Sequence, residues 1–390
     1  MLLFAPAWVA LEYVRSRFPF GGFPWLLLGY SQTNSLRLLQ VADLAGVYGI
    51  SFLIVLVNTA LVWTWWRREY GWRACGPIAS ACVLLAVCLA YGSAELRRWD
   101  QVQPQYRAAL LQGNLSVDEP EPALAEKYKE GYVRMADKLG SADADLLILP
   151  ESPSPLIFQY DRQYRETMQG LAHRFPLGVV FNNISFRDGN GAGRYFNSAF
   201  FLDRSGTKTG VYDKIHLVPF GEYVPCKKLF FFSETISKDV GDFQPGDTYL
   251  TVSLRGHAVN AIICFEAVFP DLCREFVRKG SELIINLTND GWYGDTWAPY
   301  QHLAMARWRA VETRRYLLRA ANSGITAVIG PTGEIQVQTG LFREETAIGA
   351  FSFLSGQTFY VRHGSSFLIL CVIILFGALS WSLIRGARGR

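Results

Sequence analysis

Between Val41 and Trp66 the chain carries a single charge, Asp43, and then none until Arg67 and Arg68; Ala74 to Ala94 and Ser365 to Ile384 carry no charge at all. A hydrocarbon core about 30 Å thick is crossed by roughly 20 apolar residues of helix. Each run is long enough, so a multi-span membrane protein is predicted. Met1 to Val14 is apolar except for Glu12 but short. No basic segment precedes it and no small-x-small site follows it, which argues against a signal peptide. It reads as the end of a helix whose beginning is missing or trimmed. Basic residues cluster at Arg67, Arg68 and Arg73 and again at Arg385, Arg388 and Arg390. The excess of Lys and Arg on cytoplasmic loops predicts that both places are cytoplasmic, against a weaker opposing set of Arg15, Arg17 and Arg37. The expected layout is a helical region over 1–96 (a partial span at 1–14, spans at 41–66 and 74–94), an extracytoplasmic domain over 104–354 and a last span over 365–384.

The intervening region has the composition of a folded domain. The chain is 50% apolar and 14% aromatic, enough for a large core, and its net charge of +4 is scattered rather than gathered into a stripe. This excludes nucleic acid as an expected partner. "RAALLQG", "DLLILPE", "LGVVFNNI", "YFNSAFFLD", "HAVNAIIC", "ELIINLT" and "ITAVIG" read as strands, several apolar throughout and therefore buried on both faces. Pro122 to Leu139, Asp161 to Arg174, Pro270 to Lys279 and Tyr300 to Tyr316 read as helices. Such alternation predicts a layered α/β domain. Seven cysteines are present. Cys226 and Cys273 form a candidate disulfide pair, although spacing alone leaves the pairing open.

Three of the apolar strands end in reactive or polar side chains: Glu151 after "LLILP", Cys264 and Glu266 in "NAIICFE", and Asn289 and Asp290 after "LIINLT". Open α/β folds place ligands at such strand ends. Between the first two lies "YDKIHLVPFGEYVP", which supplies Lys214 and Glu222. A cysteine is nucleophilic as thiolate, which a nearby cation favours. A carboxylate in an apolar pocket has its pKa raised towards neutrality and can shuttle a proton. Lys214 and the backbone N–H of Phe265 are candidate donors to an oxyanion formed when the thiolate attacks an acyl carbon. Singly, a buried cysteine is more often packing and a lysine more often surface. The ordered set is what favours chemistry.

Glu151 in "LPES", Lys214 in "DKIHLVPFGEYVP" and Cys264 in "ICFE" resemble the Glu-Lys-Cys triad of the nitrilase, or carbon-nitrogen hydrolase, superfamily. Within it, "GGFPWLLLGYSQ", "VPFGEYVP", "TNDGWYGDTWAPYQHLAMARWRAVETRRYLLRAANSGITAVIGPTGE" and a terminal span resemble the apolipoprotein N-acyltransferase family over nearly the whole chain. The pattern departs where "LLQGN" is not followed by tryptophan and where Phe265 follows the nucleophile in place of the usual tyrosine. The resemblance implies a four-layer αββα nitrilase-like domain inserted between helical transmembrane segments. It also implies a multi-pass protein of the bacterial cytoplasmic (inner) membrane with its catalytic domain on the periplasmic side. The implied reaction transfers an acyl chain from a phospholipid, through a Cys264 thioester, to the N-terminal amine of a diacylglyceryl-cysteine apolipoprotein, with no cofactor and no metal. Glu151 would be the base and Lys214 the oxyanion partner. For Glu222 and Glu266 two roles stay open, direct proton transfer or holding Lys214 or a backbone amide in place.

Asn289 and Asp290 are expected to form an Asx-type turn. Phe230, Phe231 and Phe232, with Trp292 and Tyr293, are candidate substrate or lid residues, since a run of three phenylalanines in a loop is costly to leave in water. Core packing is the alternative reading for all of them. The five histidines show no ligand spacing. Rival readings are a membrane-anchored amidase or nitrilase using the same triad, and a non-catalytic lipid carrier.

Overall fold

The computed structural model describes residues 3–116, 121–140, 143–151, 156–189, 192–225 and 242–388. The expected lid residues Phe230, Phe231 and Phe232, and Cys226 of the expected disulfide, lie outside the described residues. The chain divides into two compact units, one made of Met1–Val102, Val311–Arg314 and Gln357–Arg390, the other of Gln103–Ala310 and Arg315–Gly356.

The first unit is helical, with its principal helices over Phe4–Arg15, Ala42–Trp66, Gly76–Trp99 and Ser366–Arg388. Ala42–Trp66 and Arg68–Trp99 are long and apolar enough to cross a membrane, and Ser366–Trp381 is a shorter apolar helix. Their outward residues stay apolar: Leu61, Val62, Trp65, Val83, Val87, Ile373 and Phe376 are exposed. A water-facing helix would carry polar residues there. The helix at Ala42–Trp66 breaks at Gly46, where φ is +62°. A Cβ there would sit 2.7 Å from the Tyr360 ring, so only glycine allows both the left-handed backbone and the close approach. Beside the break, Arg314 donates to the Asp43 carboxylate at 2.6 and 3.1 Å and to the Gln40 side chain, and the Tyr91 hydroxyl reaches both Asp43 oxygens at 2.9 Å.

The second unit is built on two six-stranded sheets. One has the order β12-β1-β2-β3-β4-β5, from β1 (Tyr106–Gln112), β2 (Leu146–Ile148), β3 (Gly178–Gly189), β4 (Ala192–Leu202), β5 (Lys208–Asp213) and β12 (Glu345–Phe351). The other has the order β11-β10-β9-β8-β7-β6, from β6 (Val252–Leu254), β7 (His257–Ile263), β8 (Leu283–Thr288), β9 (Leu317–Ala321), β10 (Ala327–Ile329) and β11 (Ile335–Gln338). In each sheet three central strands are parallel, β1-β2-β3 and β7-β8-β9, and antiparallel strands flank them. The sheets face one another, β1 against β9, β12 against β10 and β11, and β4 against β7. Sandwiched strands have no wet face, and every residue of β2, β8 and β9 is buried. Helices Glu121–Asp137 and Arg162–Ala172 pack on the first sheet, where Tyr128, Tyr164, Phe158, Phe181 and Phe200 form its aromatic core. Helices Pro270–Arg278 and Ala298–Thr313 follow β7 and β8.

All seven strands expected from sequence are present within a few residues, and so are the four helices. β5, β6, β9, β11 and β12 were not expected. "LLRAA", which forms β9, is rich in good helix formers and follows a helix directly. Its burial between β8 and β10 overrides that local preference.

Candidate active site

Cys264 closes β7 and opens a short 3₁₀ turn, Cys264–Val268. Its φ is +50°, in the left-handed region, although it has a side chain. A non-glycine residue held there costs of order 1–3 kcal/mol and persists only where the surroundings enforce it. Part of that enforcement is Glu266, which is fully buried. One of its oxygens accepts from the Ile263 N–H at 2.7 Å. The other accepts from the Tyr212 hydroxyl at 2.7 Å and from the N–H groups of Ile215 and His216 at 2.7 and 3.1 Å. Glu266 thus ties the cysteine turn to the segment that carries Lys214. Burial pushes its pKa up to about 7 against these donors and Lys214. Of the two roles left open for Glu266, this geometry is that of an anchor.

Lys214 follows β5, and its side chain is 1% exposed. Its Nζ lies 2.8 and 3.0 Å from the Glu222 oxygens and 4.0 Å from Glu151 Oε1. Burial pushes the ammonium's pKa down, but Glu222, Glu151 and Cys264 outweigh it and hold Lys214 above its ordinary range. Glu222 also accepts from the Val218 N–H at 2.8 Å. Its burial would raise it, yet Lys214 prevails and it is held below the usual carboxylate range. A carboxylate fixed as the ionised partner of a lysine holds that lysine in place and is poorly suited to take a proton.

Glu151 differs. One oxygen accepts from Asn197 Nδ2 at 2.9 Å and the other from the Asn289 N–H at 3.1 Å. Burial, with a smaller contribution from Glu222, raises its pKa despite Lys214, Asn197 and the Cys264 thiol. Cys264 itself is pushed up to about 12 by burial and then by Glu151, with Lys214 and the Thr288 hydroxyl opposing. The neighbouring cation does favour the thiolate, as expected, but burial outweighs it and leaves a thiol beside a carboxylate whose proton affinity has been raised. The arrangement suits proton transfer concerted with attack rather than a standing anion.

Phe265 is buried directly after Cys264, its ring 5.0 Å from that of Phe269. Asn289 makes the expected turn, its Oδ1 accepting from the Gly291 N–H at 3.1 Å. Trp292 is exposed, so its core-packing alternative fails, whereas Tyr293 is partly buried with its ring edge-on to His302. Cys273 is buried on helix Pro270–Arg278. Three participants, Asn197, His302 and Arg319, escaped sequence reasoning. Asn197, whose Nδ2 also reaches Glu222 at 2.7 Å, bridges the two carboxylates from mid-strand. Asp290, His302 and Arg319 form a buried group behind the nucleophile, with Asp290 held down to about 2 because Arg319 and His302 overcome its burial. A charged residue inside an otherwise apolar strand, as Arg319 is in "LLRAA", was the available signal.

Paired sandwiched sheets, with a cysteine, a lysine and a carboxylate meeting at their strand ends, define a carbon-nitrogen hydrolase domain, and the Carbon-nitrogen hydrolase family model matches residues 107–358. The Apolipoprotein N-acyltransferase N-terminal domain matches residues 1–60. The chain is 40% identical over 381 residues to the apolipoprotein N-acyltransferase of Geobacter metallireducens, covering 95% of this chain and 72% of that protein. It is 32% identical to that of Methylococcus capsulatus (93% and 70%) and 33% identical to that of Bradyrhizobium diazoefficiens (93% and 70%). The chain belongs to the apolipoprotein N-acyltransferase family.

Proposed function

We propose that this chain acylates the N-terminal amine of diacylglyceryl-cysteine apolipoproteins by a two-step, ping-pong route with Glu151, Lys214 and Cys264 as its catalytic residues. The supporting observation is the pairing of a neutral, buried Cys264 with a Glu151 of raised proton affinity, 4.0 Å from Lys214. In the first step Glu151 takes the thiol proton as sulfur bonds to the ester carbon of a phospholipid. Lys214 and the Phe265 N–H stabilise the oxyanion. An ammonium has three N–H groups, so Lys214 retains a donor beyond its two contacts with Glu222. The carbon–oxygen bond then breaks and the lysophospholipid leaves with the proton from Glu151. In the second step the lipoprotein amine attacks the thioester, giving its proton to Glu151. The carbon–sulfur bond breaks and the proton returns to sulfur.

Lipid substrates account for the apolar helices. In this reading the protein is multi-pass in the bacterial cytoplasmic membrane, with the catalytic domain, over 104–354, on the periplasmic side. The Arg67–Arg73 and Arg385–Arg390 clusters, both basic, support that orientation. Incubation with phospholipid and no acceptor, followed by intact mass and peptide mapping, tests the route. A gain of one acyl chain on the Cys264 peptide is expected. No gain, or the same gain in Cys264→Ala, overturns it.

A further inference from the structure

His302 is fully buried on helix Ala298–Thr313. Its Nε2 lies 3.1 Å from the Cys264 carbonyl oxygen. Its Nδ1 lies 2.9 Å from Asp290 Oδ1 and 3.2 Å from the Arg319 guanidinium. A carbonyl oxygen only accepts, so the Nε2 contact is attractive only if that nitrogen bears hydrogen. It does so in both arrangements the surroundings permit, the neutral ring whose Nδ1 accepts from Arg319 and the imidazolium whose Nδ1 donates to Asp290. Asp290 does not depend on His302 for a counter-charge, because Arg319 contacts its other oxygen at 2.7 Å. Arg319 is further held by Asn286 and by the Ile325 carbonyl. The ring's Nε2–H is thus spent on the nucleophile's own peptide. The same group reaches the cysteine a second way, since the Thr288 hydroxyl donates to Asp290 at 3.2 Å and also bonds the thiol.

We propose that His302 is a positioning residue for the nucleophile: its Nε2–H clamps the Cys264 carbonyl and so keeps the left-handed backbone that aims the thiol at Glu151 and the following N–H at the oxyanion. The proposal rests on Cys264 being the acylated residue. A backbone at φ +50° relaxes if the clamp is released. A nucleophile displaced by about 1 Å loses on the order of 10²-fold in rate. In the proposed route this peptide meets the substrate where charge develops on the oxyanion, so the loss falls on the chemical step.

The test compares His302→Gln, whose amide nitrogen can take the place of Nε2, with His302→Asn, which reaches Asp290 but not the Cys264 carbonyl, and with His302→Ala. Each full-length variant is assayed for single-turnover thioester formation from phospholipid in mixed micelles, at a temperature well below its melting midpoint. His302→Asn and His302→Ala are expected to form the thioester about 10- to 100-fold more slowly at saturating phospholipid, with the half-saturating concentration unchanged. His302→Gln is expected to recover most of the lost rate. If one of the two slow variants does not fold, the other is compared with His302→Gln alone. Equal rates for the Gln variant and the variants lacking the clamp, or a change confined to half-saturation, overturn the proposal. Peptide mapping of the wild-type thioester separates a different failure: an acyl group on any residue but Cys264 removes the nucleophile assignment itself.

Discussion

Both units bury a cation among carboxylates, and they do it differently. In the helical unit Arg314 meets Asp43 in a paired contact at 2.6 and 3.1 Å, Tyr91 donates to the same carboxylate, and Glu95 lies 3.7 Å away. In the catalytic unit Lys214 is equally secure against Glu222, but Glu151 stands 4.0 Å off and keeps a raised proton affinity. The first cluster is saturated with donors and neutralised in place. The second pairs its cation with one carboxylate and leaves the other, hydrogen-bonded by Asn197 and the Asn289 N–H, without a close cation. The saturated set should serve stability, and the carboxylate without a close cation should serve chemistry.

The largest expected effect falls on that carboxylate. Glu151→Gln keeps size and much of the hydrogen bonding but cannot take a proton, so thioester formation and aminolysis should each slow by about 10²- to 10⁴-fold with little change in melting midpoint. The variant should regain thioester formation as pH rises, since each added unit exposes more thiolate without a base. In the wild type, activity should fall on acidification, and the fall should begin above the ordinary carboxylate value of 4.5, because a raised Glu151 is protonated earlier. A pH–rate profile of single-turnover acylation reads both. Lys214→Arg should be nearly as harmful as Lys214→Ala, because a planar guanidinium does not fit the space of a compact ammonium held by Glu222. A fully active arginine variant would remove the oxyanion role.

Next comes the saturated cluster. Arg314→Met strands the Asp43 charge among apolar helices and should cost about 3–5 kcal/mol of stability. Melting in detergent, with acylation rate measured per folded molecule, should show a large fall in midpoint and little change in rate. The double variant with Asp43→Asn should regain most of the midpoint. If Arg314→Met instead slows acylation without lowering the midpoint, the contrast between the two clusters collapses. The smallest effect is expected at the solvent-facing pair Arg162–Glu166, separated by 2.8 Å, where Glu166→Gln should leave both midpoint and rate unchanged.

Glu151 and Cys264 were legible as candidate site residues because each ends an apolar run, where a charged or nucleophilic side chain is conspicuous, and Lys214 because it lies in the motif between them. Asn197 was not, since an amide within "YFNSAFF" reads as one polar residue of a half-buried strand; its role exists only once β4, paired with β3 and β5, brings it to Glu151 and Glu222. His302 was read for metal spacing and has none; its partners come from the turn after β8, from β9 and from the turn after β7, which no local pattern brings together. The fold was legible wherever strands were apolar throughout. It failed at β5, β11 and β12, whose alternating or polar sequences are decided by tertiary pairing rather than by local preference.

One pairing has a consequence in time. β1 runs antiparallel to β12, residue for residue from Tyr106 opposite Phe351 to Gln112 opposite Glu345. A ribosome adding about 5–20 residues per second needs roughly 10 to 50 s to travel from the first strand to the second. Throughout that interval β1 has an unpaired edge on a nascent chain whose neighbouring β2 leads to Glu151. The sheet that leads to Glu151 therefore completes only once β12 has been made, and a chain stopped before Phe351 holds its cysteine, lysine and glutamate without the strand that closes the sheet.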